Sequence, residues 1–379
     1  MSHSPAAPTS EPRSPVPDLL FEDVCEARIG DIRQLLDDAA AVDEHTPLHR
    51  VTVFVTYRCN LRCAYCKTIA RSPDELTARP QKAATFDRAQ FEQMLASHGR
   101  TPIEHLHFTG GEATLLRDLP HMVRAAKAHG VGCVSLTTNG TQPPEAYTAL
   151  VHAGVDEIRV SLDDAHDGDR EASLLPSTWG RAIATVRTLG EMRRAGHAFF
   201  LIVNTVVERR NGARLADLVR FLLALGPDDM KLITSVDEKD ALSTFAAAPS
   251  VIAELEQILA GYPPQRFPLL RRKVRTVFAG DAIGLESVQP AADGAWRCYI
   301  PLTERTVDGR FYYPCSVYLR EGGTPLGALA EPQDEQRRKT AAFVERGDCL
   351  SDPICRRYCL HCTREFNVGA NAERGAGGR

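Results

Sequence analysis

The sequence predicts an α/β fold built on a parallel sheet, and three observations predict it. Short β-branched runs alternate with amphipathic stretches, polar motifs recur at or just after the ends of those runs, and the rhythm stops near Gly261. The runs Val51 to Thr56, Glu104 to Phe108, Gly132 to Thr137, Glu157 to Leu162, Phe199 to Val206 and Met230 to Ile233 read as strands. Between them Asp87 to Ala96, Leu119 to His129, Glu145 to His152, Trp179 to Arg194 and Ala213 to Leu225 read as helices. This alternation implies βα units in an open doubly wound sheet or in a full or partial barrel, and in both ligands sit at the carboxyl ends of the strands.

At 379 residues the chain suits two ordered domains with tails, taking about 150 residues per domain. Its 43% apolar and 25% charged residues are those of a chain able to bury a large core. Residues 1–17, rich in Pro, Ser and Ala, read as a disordered tail, and 18–48 as a helical extension. The main unit covers 49–262. Pro263, Pro264 and Pro268 then break the chain, a cysteine-rich unit follows over 285–367 with strand-like pieces at Trp296 to Ile300 and Arg310 to Tyr313, and 368–379 form a second tail.

A formal charge of -4 gives no broad basic field for phosphate backbones, so nucleic acid is not an expected partner. The one basic run, Arg271, Arg272, Lys273 and Arg275, reads as a solvated helix face. The longest apolar run, Ala198 to Val203, is too short to span a bilayer, and no signal-peptide core opens the chain, so no membrane is expected and the location expected is the cytoplasm. There thiols stay reduced, and eleven cysteines, mostly clustered, read as metal ligands before disulfides.

Cys59, Cys63 and Cys66 lie on the loop after the first strand, with Tyr65 before the last of them. Three thiolates from one loop can ligate three irons of a cubane and leave the fourth open to a small ligand. Structural zinc, the rival, normally takes four protein ligands. Gly110-Gly111-Glu112 follows the second strand, Thr138 and Asn139 the third, Ser161 and Asp163 the fourth, and Asn204 lies at the end of the fifth. Capping and turn roles are the plain alternative for these polar residues, and packing for Tyr65.

Over about residues 50–235 this pattern resembles the radical S-adenosylmethionine (SAM) superfamily, with its CxxxCxxC signature and GGE element. The resemblance implies a partial (β/α)6 TIM-type barrel and a [4Fe-4S] cluster on Cys59, Cys63 and Cys66 whose open iron chelates SAM. It also implies that Tyr65, Gly110, Gly111, Glu112, Thr138, Asn139, Ser161, Asp163 and Asn204 contact SAM or substrate. Glycines there would let the backbone approach the ligand, and Glu112 would accept from the SAM ammonium.

Six more cysteines follow: Cys298, Cys315, Cys349, Cys355, Cys359 and Cys362. The first two flank a predicted hairpin at Asp308-Gly309. Their spacing resembles the twitch domain, a shortened relative of the SPASM domain, which implies a small cysteine-rich α+β domain holding an auxiliary [4Fe-4S] cluster on Cys298, Cys315, Cys359 and Cys362. Cys349 and Cys355 depart from that pattern and stand as additional ligands or as hydrogen-donating thiols. His361 is a further candidate ligand, and a structural zinc site is the alternative for the whole group. Cys25 and Cys133 read as buried apolar thiols.

The function implied is reductive cleavage of SAM and hydrogen abstraction from an unactivated C–H bond. The outcomes weighed are oxidation, cross-linking or epimerisation of a sugar, aminocyclitol or peptide in natural-product biosynthesis, with a flavodoxin- or ferredoxin-type electron donor. The short stretch before the barrel is too small for a peptide-leader module, which leans the expectation to a small molecule or short peptide. A non-catalytic iron-sulfur or zinc protein that binds or relays electrons is the alternative.

Overall fold

A computed structural model describes residues 25–69, 85–163, 178–234, 249–278, 285, 288 and 296–377. The expected N-terminal tail, 1–17, lies outside these residues, whereas the expected C-terminal tail, 368–379, is helical through Gly377, with Ala370 and Asn371 buried. Six parallel strands carry the fold: β1 (Arg50–Thr56), β2 (His105–Gly110), β3 (Cys133–Thr138), β4 (Glu157–Ser161), β5 (Phe200–Val207) and β6 (Asp229–Thr234), each paired with the next in chain order. This sequential parallel order is the partial barrel that the resemblance implied.

Helices cover one face of the sheet: α1 (Arg88–His98), α2 (Leu119–Ala128), α3 (Pro144–His152), α4 (Thr178–Arg194) and α5 (Leu215–Ala224). Asp87 starts α1 with a capping box, accepting from Gln90 N while the Gln90 side chain takes the Asp87 N–H. Val51, Val53, Leu106, Phe108, Val134, Leu136, Ile158, Val160, Leu201 and Val203 pack on this side with helix residues such as Phe91, Met122, Leu150 and Leu189. The alternate strand positions are polar: Thr52, His105, His107, Ser135, Glu157, Arg159 and Asn204, all buried. A sheet buried on both faces usually reads as continuous apolar runs, so this concave side is built for something other than packing.

Beyond Gly261 the structure differs from the expected break. Pro268 opens another helix, Pro268–Phe278, which packs on β6: Asp229 accepts from Leu269 N and Leu270 N. Arg271 is not a solvated charge, because its guanidinium donates to the carbonyls of Leu259, Tyr262, Pro263 and Arg266 and so ties together the end of the preceding helix and the turn after it.

The cysteine-rich segment joins the same sheet. Strand β7 (Glu304–Val307) runs parallel to β1 on the edge opposite β2, and β8 (Phe311–Tyr313) and β9 (Gly327–Ala328) continue antiparallel, giving the order β6-β5-β4-β3-β2-β1-β7-β8-β9. The Asp308-Gly309 turn forms as expected: Asp308 accepts from Arg310 N and Phe311 N, and Gly309 takes φ +89°. Trp296 to Ile300 is not a strand. Its amides at Arg297 and Tyr299 are taken by the side chains of Asn371 and Asn367, and Pro301 leads into a short helix, Ile300–Thr303. The N-terminal extension packs here, with Ile29, Ile32, Leu35 and Leu36 in one cluster with Tyr299, Leu302, Val344 and Phe366.

Candidate active site

The loop after β1 carries Cys59, Cys63 and Cys66, all half-buried. Its base is clamped by the end of β2: Gly111 N donates to Thr56 O at 2.6 Å and Glu112 N to Arg58 O at 2.8 Å. A Cβ on Gly110 would lie 2.2 Å from Thr56 O, and one on Gly111 2.2 Å from Arg58 O. Both glycines are therefore demanded by the cysteine loop itself, where the sequence suggested only approach to a ligand.

Glu112 is buried and has protein partners of its own. One carboxylate oxygen accepts from Thr114 N, Thr114 Oγ1 and Thr138 Oγ1, the other from Asn139 N at 2.7 Å. Burial pushes its carboxyl above the usual range, while these donors pull the other way. Asn139 in turn donates to Asn60 Oδ1 and faces the Cys59 sulfur at 3.8 Å, and Asn60 donates to Thr141 Oγ1. Burial lifts the Cys59 thiol to about 11, against a donated Leu61 N–H.

The far side of the loop is tied to β4 and β5. The Tyr65 hydroxyl donates to Asp163 Oδ2 at 2.5 Å, and Asp163 Oδ1 accepts from Val206 N. Asn211 donates to the carbonyls of Asp163 and Val206 and closes that corner. Ser161 and Asn204 are register partners on β4 and β5, and Asn204 Oδ1 is buried with no hydrogen-bond partner among the described residues.

A second group of thiols lies in the C-terminal segment. Cys349 is buried with Cys298 and Cys355 packed against its cluster, and the thiol of Cys315 lies in the field of Cys355 and Cys298. The neighbouring Cys349 thiol comes first in holding Cys298 below the usual thiol range, while Cys349, beside two sulfurs and buried, is pushed up. Burial lifts Cys315 to about 12. Cys359 packs beside Cys349 on Trp296. The side chains of Cys25, His361 and Cys362 lie outside the described ones. Among the described residues no three His, Cys, Asp or Glu side chains are already drawn into metal-holding geometry.

The two groups are linked. Tyr57, at the head of the first loop, donates to Asp308 in the β7–β8 turn, as does Tyr313. The half-buried Arg320 guanidinium feels both Cys315 and Cys66, and Lys67 bonds Glu321 at 3.1 Å.

Comparison with known proteins decides the family of this site. The family model for the Radical SAM superfamily matches residues 53–222, the stretch from β1 through α5. This chain carries a radical SAM domain. It is 36% identical over 118 residues to the GTP 3',8-cyclase of Xanthomonas axonopodis pv. citri, covering 31% of this chain and 35% of the relative. It is 27% identical over 215 residues to the PqqA peptide cyclase of Methylocella silvestris, covering 55% of each. The chain thus spans about a third to about a half of the length of these two relatives. Among solved structures, SuiB of Streptococcus suis bound to its precursor peptide SuiA superposes with TM-score 0.57 at 14% identity, covering 94% of this chain and 78% of that one.

The residues of the radical SAM domain fit the group this family holds. Three neighbouring thiols on one loop, without a fourth protein ligand beside them in the loop, are the donor set for a cubane with an open iron. The orphaned Asn204 Oδ1 gives a bound molecule a place to donate.

Sequence reasoning passed over the polar concave face. His105 Nε2 and His107 Nδ1 both meet Ser135 Oγ at 2.6 Å, His107 Nε2 meets Thr137 Oγ1 at 3.1 Å, and Arg159 pairs with Glu157. The signal was present: His105-Leu106-His107-Phe108 and Glu157-Ile158-Arg159-Val160 alternate strictly, which central parallel strands rarely do.

Proposed function

We propose that this chain is an enzyme that cleaves SAM reductively and abstracts hydrogen from an unactivated C–H bond of a substrate bound at the carboxyl ends of the strands. The observation that carries the reading is the loop of Cys59, Cys63 and Cys66, buttressed from three sides by Gly111, Asn139 and the Tyr65–Asp163 contact. Held on those thiolates, a [4Fe-4S] cluster with SAM on its open iron would supply the electron for that cleavage. The chain's own residues position it. Glu112 fixes the end of β3 against the loop, and Asp163 fixes Tyr65 and β5 together.

The second thiol group is proposed to hold an auxiliary [4Fe-4S] cluster on Cys298, Cys315, Cys349 and Cys355, a reading supported by the packing of Cys298 and Cys355 against Cys349, with Cys359 beside them as the alternative fourth ligand. This set shares Cys298 and Cys315 with the one implied by spacing and exchanges Cys359 and Cys362 for Cys349 and Cys355. Engaged as ligands, Cys349 and Cys355 do not serve as hydrogen donors, which favours oxidation or cross-linking over epimerisation. The electron donor proposed is of flavodoxin or ferredoxin type.

One of the two relatives is a peptide cyclase, aligned over 215 residues, and a peptide substrate is accordingly proposed. Two GTP 3',8-cyclases align over 118 and 241 residues and support a nucleotide as the second reading. The test is the rate of 5'-deoxyadenosine release by reconstituted, dithionite-reduced protein with SAM, alone, with a mixed library of short peptides, and with GTP. Stimulation by the peptides supports the first reading; stimulation by GTP alone replaces it with the second.

A further inference from the structure

The last helix, His361–Gly377, presents Asn367 and Asn371, one turn apart, to the segment that carries Cys298. Asn371 does purely backbone work, accepting from Arg297 N and donating to Arg297 O and Asn367 O. Asn367 does more. Its Oδ1 accepts from Tyr299 N at 2.7 Å, and its Nδ2 donates to Thr363 O at 2.9 Å and to the Cys298 sulfur at 3.4 Å.

The orientation of that amide is fixed by chemistry. A backbone N–H can only donate and a backbone carbonyl can only accept, so the oxygen of Asn367 must face Tyr299 and the nitrogen must face Thr363 and the sulfur. The side chain is 0% exposed, so no water competes for the remaining N–H.

We propose that Asn367 is a positioning residue that sets the reduction potential of the auxiliary cluster through its hydrogen bond to Cys298. This rests on the reading that Cys298 is a cluster ligand. Adding one electron to the cubane places negative charge on its sulfurs, and a buried N–H aimed at a ligand sulfur stabilises the reduced form more than the oxidised form. The bond therefore raises the potential and makes the cluster a better acceptor for an electron leaving the substrate. The first thiol group has a weaker counterpart, with Asn139 Nδ2 at 3.8 Å from Cys59.

The experiment uses the full chain with Cys59→Ala/Cys63→Ala/Cys66→Ala, so that only auxiliary iron remains, reconstituted anaerobically and titrated with dithionite while the reduced cluster is followed by electron paramagnetic resonance. Asn367→Leu is expected to keep its iron and shift the midpoint to more negative potential, while Asn371→Leu, which touches no sulfur, leaves it in place. Where the leucine variant fails to fold, Asn367→Asp keeps the acceptor for Tyr299 N, removes the donor, and is expected to shift the midpoint in the same direction. An unchanged midpoint in an iron-replete Asn367 variant, or an equal shift in Asn371→Leu, overturns the inference. Absence of iron from the triple-cysteine parent overturns the underlying ligand reading instead.

Discussion

The Tyr65 hydroxyl donates to Asp163 across 2.5 Å, joining the cysteine loop after β1 to the ends of β4 and β5. Asp163 is buried and Tyr65 half-buried there, and Asp163 also accepts from Val206 N, so the contact fixes the loop against two strands at once. A hydrogen bond to a charged group contributes about 1.5–3 kcal/mol. Tyr65→Phe should therefore retain the cluster's iron but cleave SAM roughly ten- to a hundredfold more slowly. Iron analysis with a 5'-deoxyadenosine assay checks this, and an unchanged rate would show that the loop holds its position without the contact.

Gly111 is the tightest point of the same site. Gly111→Ala would put a methyl group 2.2 Å from Arg58 O, and neither backbone can yield without breaking the Gly111 N to Thr56 O bond. The expected outcome is loss of roughly four irons per chain, with a stability loss of about 1–3 kcal/mol from the steric strain. Gly180→Ala is the contrast, since nothing lies within 4 Å of its Cβ in the first turn of α4 and φ is not positive. It should retain all iron and gain about 0.5–1 kcal/mol in thermal unfolding.

His98 should make the fold acid-sensitive. Its Nδ1 lies 2.7 Å from Met94 O, which can only accept, so Nδ1 carries the proton, and Nε2 is buried with no hydrogen-bond partner among the described residues. Burial first, and then the Arg305 guanidinium, hold its pKa down to about 3. An unfolded chain takes up a proton here below about pH 6.5 that the folded chain refuses, so stability is lost as pH falls. The slope is about 1.4 kcal/mol per pH unit, or about 2 kcal/mol between pH 6.5 and pH 5. Denaturant unfolding of wild type and His98→Gln at pH 7 and pH 5 should show a smaller loss in the variant; equal losses would mean that His98 is protonated without cost in the fold.

The six barrel strands were legible because each alternates β-branched residues with a defined helix-facing row, and the observed limits fall close to those expected. The strand β7 was not, because Glu304 to Val307 is short and its pairing with β1 is parallel and distant in sequence. Trp296 to Ile300 looked like a strand for its aromatic and apolar content, yet its amides are taken by Asn367 and Asn371 from a helix about seventy residues on. Spacing placed Cys59, Cys63 and Cys66 together, since they share one loop. It could not say that Cys349 would sit between Cys298 and Cys355, because that depends on how the last helices fold back. The concave polar row was readable in β2 and β4, but only once the alternation itself, and not the strand ends alone, is taken as the signal.

The most direct test of the central claim combines two readings on one sample. Wild type and Cys59→Ala/Cys63→Ala/Cys66→Ala are reconstituted anaerobically with iron and sulfide, reduced with dithionite, supplied with SAM, and assayed for 5'-deoxyadenosine and iron. Deoxyadenosine from the wild type that disappears in the triple variant, together with a drop of about four irons per chain, is the predicted result. Deoxyadenosine formation that survives loss of the three thiols, or a wild type that binds zinc and forms none, would contradict the account.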